Sequence, residues 1–118
     1  MITKTSNPSA INGTSFHKGT IDASLAQLEN ALGIEAERVL DEKVNYEFDL
    51  ELADGTPFTI YDWKEGFLAP TRKVFFHIGT HCAEDTAKVC QVLADEYGLE
   101  AGVGVEYNYF LMAMLGGN

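Results

Sequence analysis

Between Lys43 and Leu52, apolar and polar residues alternate without a break. Val44, Tyr46, Phe48, Leu50 and Leu52 are interleaved with Asn45, Glu47, Asp49 and Glu51. A period of two predicts a strand with one buried and one wet face. Ala53-Asp54-Gly55-Thr56 follows as a hairpin turn, and its length fixes which faces meet. A two-residue Asp-Gly loop sets Glu51 opposite Phe58 and Asp49 opposite Ile60. A three-residue loop with Gly55 in the left-handed region instead sets Leu50 opposite Phe58 and Phe48 opposite Ile60. The second keeps apolar with apolar and is the expected turn. Pro57 to Trp63 is then the next strand, Lys64 to Pro70 a loop, and Arg72 to Ile78 a third strand.

Helical spacing flanks this meander. Asp22 is a good N-cap, Leu25, Leu28 and Leu32 recur on one face, and Gly33 is the stop. Thr80 is the expected cap of a second helix. Its stripe of Ala83, Ala87, Cys90, Ala94 and Tyr97, widened by Val89 and Leu93, ends at Gly98. The predicted architecture is α+β, an antiparallel meander with one helix before it and one after it. It forms a single domain over 1–118. Residues 1–9 are small and polar and are expected to fray. Ile11 to Ile21 reads as a short strand or extended turn, and Gly33 to Glu42 as a charged connection. From Val103 the chain alternates, then turns wholly apolar from Tyr109 to Leu115. This tail (103–118) either packs on its own sheet or buries against another copy of the chain. The expectation is a homodimer or higher homo-oligomer.

Charge narrows the partners. Eighteen acids against 8 Lys and Arg give a net charge of −10, which repels phosphate at long range and argues against direct nucleic-acid binding. Such a surface keeps a protein soluble, steers it to a basic partner, or mimics nucleic acid. Hydrophobic content of 46 % suits a packed core and excludes disorder. Cys82 and Cys90 fall in one helix, about 12 Å apart along its axis and too far for a disulfide. Free thiols suit a reducing compartment. No apolar leader opens the chain, and the run from Tyr109 to Leu115 is too short to span a bilayer. These features predict a cytoplasmic protein with no membrane contact.

The wet face of the meander carries more than a wet face needs. Glu47 and Asp49 lie on its first strand, Tyr61 and Trp63 on its second, Lys73, Phe75 and His77 on its third. Either another part of the fold covers these rings, or they form a groove where a planar ligand stacks while Lys64, Arg72 or Lys73 meets its anionic part. Asn12-Gly13-Thr14-Ser15 adds amides and hydroxyls suited to an anion, without the spacing of a P-loop. His77, His81 and Cys82 lack the recurrent spacings of a zinc site, so no metal is expected. His77 as a general base needs a nucleophile, and Ser15 and Thr80 are the nearby hydroxyls. The chain reads as a binding protein without cofactor and not as an enzyme. Its candidate ligand residues are Asn12, Thr14, Ser15, Tyr61, Trp63, Lys64, Arg72, Lys73, Phe75, His77 and Thr80.

Ile11-Asn12-Gly13-Thr14-Ser15-Phe16, the leucine-bearing helix, Asp54-Gly55-Thr56, Ile60-Tyr61-Asp62-Trp63-Lys64 and His77-Ile78-Gly79 together resemble a family of small proteins of tailed bacteriophages. The likeness runs from about Ile11 to Leu93. It departs at Phe76, where such proteins carry tryptophan, and at Thr80, where a second glycine is usual. The loop Phe67 to Arg72 and the tail lie outside it. The resemblance implies action inside the host bacterial cytoplasm against an antiviral defence. Two mechanisms fit. A sponge would bind and sequester a nucleotide-derived immune signal without hydrolysing it, often between subunits. An acidic inhibitor of the anti-CRISPR or DNA-mimic type would dock on a host defence nuclease. The turn motif, Tyr61, Trp63, Lys64 and His77 exceed what an acidic decoy requires, so the sponge is the preferred reading.

Overall fold

The alternation from Lys43 produces a strand, but only over Tyr46–Glu51; residues 43–45 lie outside it, and Val44, expected on the core face, lines a surface cleft instead. The computed structural model describes residues 1–104, and in it the strands and helices in chain order are β1 (Thr3–Lys4), β2 (Ser15–Ala23), α1 (Leu25–Leu32), β3 (Glu37–Arg38), β4 (Tyr46–Glu51), β5 (Pro57–Tyr61), β6 (Val74–Thr80), α2 (Ala83–Tyr97) and β7 (Glu100–Val103). A short 3-10 turn at Pro8–Ile11 leads into β2. The fold is α+β, with two helices and an antiparallel seven-stranded sheet in the order β1-β4-β5-β6-β2-β7; β3 also pairs with β4.

The β4–β5 turn has the three-residue form. Leu50 pairs with Phe58 and Phe48 with Ile60, Gly55 has φ +89°, and its amide donates to Leu52 O at 2.9 Å. One face of the sheet therefore gathers Phe48, Leu50, Phe58, Ile60, Phe76 and Ile78, all at most 2 % exposed, beneath α1 and α2.

Several expectations need correction. The segment Ile11–Ile21, expected as a short strand or extended turn, begins as a turn and from Ser15 becomes the nine-residue β2, which runs on to Ala23 and lies inside the sheet between β6 and β7. The amino-terminal residues, expected to fray, add β1 to the edge of β4 and seat Ile2 in the core. The Ile2 amide donates to the Tyr97 hydroxyl at 2.7 Å.

Both helix caps move towards the helix. Asp22 is still in β2, opposite Phe75, so Ser24 caps α1 by accepting from the Gln27 amide at 3.1 Å. Thr80 ends β6, and Cys82 is the N-cap position of α2, without a side-chain cap bond. The buried side of α2 is Thr86, Val89, Cys90 and Leu93, while Ala83 and Ala87 face outward. Both helices end at the expected glycines, Gly33 and Gly98, in left-handed backbone. Neither cysteine forms a disulfide. The apolar tail from Tyr109, expected as an oligomer contact, lies outside the described residues. No described helix is long and apolar enough to cross a membrane.

Candidate functional site

On the sheet face turned away from the helices, register brings distant segments into rows. Glu47, Tyr61, His77 and Thr20 stand side by side on β4, β5, β6 and β2. Asp49, Thr59 and Gly79 form the next row. Between Phe16 and Thr20 the β2–β6 register shifts, as a bulge does when it redirects a side chain. Phe16 thereby stacks on His77, with ring centroids 4.0 Å apart and planes at 16°. Trp63 also lies nearly parallel to the imidazole, 6.1 Å away and at 25°. Tyr61 meets both rings edge-on. Gly79 leaves room beneath this row, since a Cβ there would stand 2.5 Å from Thr59 Oγ1 and 3.5 Å from a Tyr61 ring carbon.

Trp63 and Tyr61 form one wall of a cleft of about 380 Å³. Glu47 and Thr59 lie along its floor, and the Ile11–Thr14 turn forms the opposite wall. Gly13, at φ +85°, is the residue that lets this turn reverse. The Thr14 amide and hydroxyl both donate to Ile11 O, at 3.1 and 2.8 Å. His81 Nε2 lies 2.7 Å from Ala10 O and tethers the same turn to the start of α2.

The Trp63 wall is held from behind by Asp62. This fully buried carboxylate accepts from the amides of Asn45 and Tyr46 at 2.9 and 2.8 Å, and from the Asn45 side-chain amide at 2.8 Å. Asn45 in turn donates to Gly66 O. The Lys64 amide donates to Lys43 O at 2.8 Å. As a result both lysines place their ammonium groups over Trp63, 5.8 Å (Lys43) and 5.7 Å (Lys64) from the ring centroid. Lys18 stands at the far end of the stack, 5.7 Å from the Phe16 ring.

Charge is divided across the cleft, with the lysines at the Trp63 rim and Glu47 on the floor. Burial, the hydrogen bond with Asp49 and the charges of Asp49 and Glu37 push the Glu47 carboxyl up to about 8. Burial, then the charge of Glu47, raises Tyr61. Burial, then the charge of Lys18, lowers His77 and favours the neutral imidazole.

The structure brings Asn12, Thr14, Tyr61 and Trp63 into the cleft wall, with Lys64 at its rim and His77 in the stack behind. The other expected ligand residues lie elsewhere. Ser15 contacts His17 on the surface. Arg72 holds the loop carbonyls of Glu65 and Phe67. Lys73 pairs with Asp22 and Glu100 beyond the stack, and Phe75 lies opposite Asp22. Thr80 faces α2, where its hydroxyl lies 2.6 Å from that of Thr86.

Sequence reasoning missed Lys43 and Asp62. The first sits in a segment read as strand. The second falls on the core-facing parity of its strand, where only the turn it anchors explains a carboxylate. Among the described residues no cluster of three or more His, Cys, Asp or Glu is arranged to hold a metal ion. Comparison with protein-family models, curated proteins and solved structures finds no match.

Proposed function

We propose that this protein binds a nucleotide-derived signal in the Trp63 cleft and holds it without hydrolysis, so blunting a bacterial antiviral defence. The observation that carries the reading is the pairing of an aromatic wall with two cations: Trp63 and Tyr61 beside Lys43 and Lys64. A base stacks on such a wall, and phosphate is met at its rim. The Ile11–Thr14 turn offers further polar groups across the cleft. His77 is engaged in ring stacking, which suits a wall better than a proton shuttle. The defence context comes from the likeness to small phage proteins, and the site belongs to a symmetric homo-oligomer.

An acidic inhibitor docking on a defence nuclease is the second reading. The carboxylates of Glu47, Asp49 and Glu51 on one face of β4 favour it.

Native mass spectrometry of the purified protein, alone and mixed with linear and cyclic nucleotides, separates the two. A homo-oligomer that gains the mass of an added nucleotide and releases it intact on denaturation supports the sponge. A protein that stays bare across the panel, yet captures a nuclease from host lysate, overturns it in favour of the inhibitor.

A further inference from the structure

We propose that the site takes a nucleotide carrying phosphate on two separate arms, at its 5′ and 3′ positions, with Lys18 meeting the second phosphate across the aromatic row from Lys43 and Lys64. The inference rests on the nucleotide-binding reading and names the ligand class.

Eight Lys and Arg side chains serve a chain of net charge −10, and four of them are held by acids. Lys4 pairs with Glu37, Arg72 with Glu65, Lys73 with Asp22 and Glu100, and Lys88 with Asp54. Arg38 lies over Tyr46. Lys18, Lys43 and Lys64 have no carboxylate partner among the described residues, and all three stand over rings of one connected row. Lys18 lies over Phe16, and the other two over Trp63. Unpaired cations gathered in so acidic a chain make a local anion site on a surface that otherwise repels phosphate.

The spacing of the three sets the shape of the ligand. β6 runs between β5 and β2. Trp63, just past β5, and Phe16, on β2, therefore flank it, about 10 Å apart at two strand spacings. His77 on β6 links them, with ring centroids 4.0 Å from Phe16 and 6.1 Å from Trp63. A base held against Trp63 with its 5′ phosphate at Lys43 and Lys64 leaves Lys18 for a phosphate on the other arm of the sugar. A phosphate chain confined to the 5′ arm stays at the Trp63 end. The 3′ arm carries phosphate in dinucleotides, cyclic dinucleotides and nucleoside 3′,5′-bisphosphates alike.

The backbone agrees with this assignment. Among the described residues, Lys18 and Lys64 are the two non-glycine positions with positive φ, at +71° and +57°, a region that glycine enters most readily. Lys18 adopts it in the β2 bulge between Phe16 and Thr20, where the Gly104 amide donates to its carbonyl at 2.7 Å. At each end of the row a lysine thus stands where glycine fits the chain better, and the ammonium group is what glycine would lack.

The test is isothermal titration at low salt with adenosine 3′,5′-bisphosphate, ADP and AMP, and with the same guanosine series. Each 3′,5′-bisphosphate should bind about tenfold more tightly than the 5′-diphosphate of the same base, which carries both phosphates on one arm. Lys18→Gly should abolish that gain and lower the salt slope of bisphosphate binding by about one. It should leave AMP affinity unchanged and, by relaxing the bulge, keep or raise the melting temperature. Lys18→Arg should keep the gain, as should Lys88→Ala, which removes an equal charge from the pair with Asp54. Bisphosphates bound no tighter than diphosphates, or a gain that survives Lys18→Gly, overturn the two-arm assignment and leave the nucleotide site standing. Absence of binding by every nucleotide, or equal binding of pyrophosphate without a base, overturns both.

Discussion

The two faces of the sheet are built from alternate residues of the same strands, yet they are organised by different forces. On the helix-covered face, Phe48, Phe58, Phe76 and their neighbours are removed from water, and their positions follow from burial alone. On the other face, Glu47, Tyr61 and His77 share one row and remain partly accessible. Their order comes from ring stacking, a bulge in β2 and charges held at the rim. A face that must only exclude water tolerates exchange of similar apolar side chains. A face that must present donors, rings and cations in one geometry does not.

This contrast breaks most visibly in the core. Phe76→Ala removes a fully buried ring, and the loss should be about 3–5 kcal/mol in urea unfolding, much of the stability of a domain this size. Asp62→Ala should come next. It strands the amides of Asn45 and Tyr46, at a cost of roughly 3 kcal/mol, and it should also weaken ligand binding because the backbone that follows Lys43 loses its anchor beside Trp63. A smaller effect, on the order of 1–3 kcal/mol, is expected for Gly79→Ala, whose new methyl group meets Thr59 beneath the aromatic row.

The acidic floor gives a signed pH effect. The unfolded chain ionises Glu47 near 4.5 and the folded chain near 8. Between these values the folded state binds more protons, so this group's contribution to stability falls as pH rises and is gone above pH 8. Glu47→Gln should therefore gain on wild type in melting temperature from pH 5 to pH 9. A constant difference across that range would show that the carboxyl is not held neutral. Trp63→Ala sharpens the comparison from the other side. Trp63 is 38 % exposed, so truncation should change stability by less than about 1 kcal/mol while removing nucleotide binding. Unfolding of Trp63→Ala would assign that ring to the core.

Much of this contrast is legible in the chain before folding. The alternation of β4, the pairing of Leu50 with Phe58 and the placement of Tyr61, Trp63 and His77 on one face all follow from period and turn length. Features that depend on long-range placement do not. Gly33 and Gly98 announce the helix ends, but the true cap at Ser24 is hidden because β2 extends through Asp22. Burial of the Thr80 hydroxyl depends on Thr86, one helical turn into α2. Arg72 and Lys73 look like anion ligands in sequence. In the fold they hold loop carbonyls and the carboxylates of Asp22 and Glu100. The cations over Trp63 are instead Lys43 and Lys64, joined by a backbone bond between two loops that no local pattern links.

Trp63 is the chain's single tryptophan, so its emission reports on the cleft without interference. Fluorescence titration with cyclic di-GMP, cyclic di-AMP, GMP and AMP is therefore the most direct test of a nucleotide stacked on that wall. The account predicts saturable quenching by at least one of these ligands, weakened in Lys64→Ala. A nucleotide that binds by mass yet leaves the emission of Trp63 unchanged would contradict it.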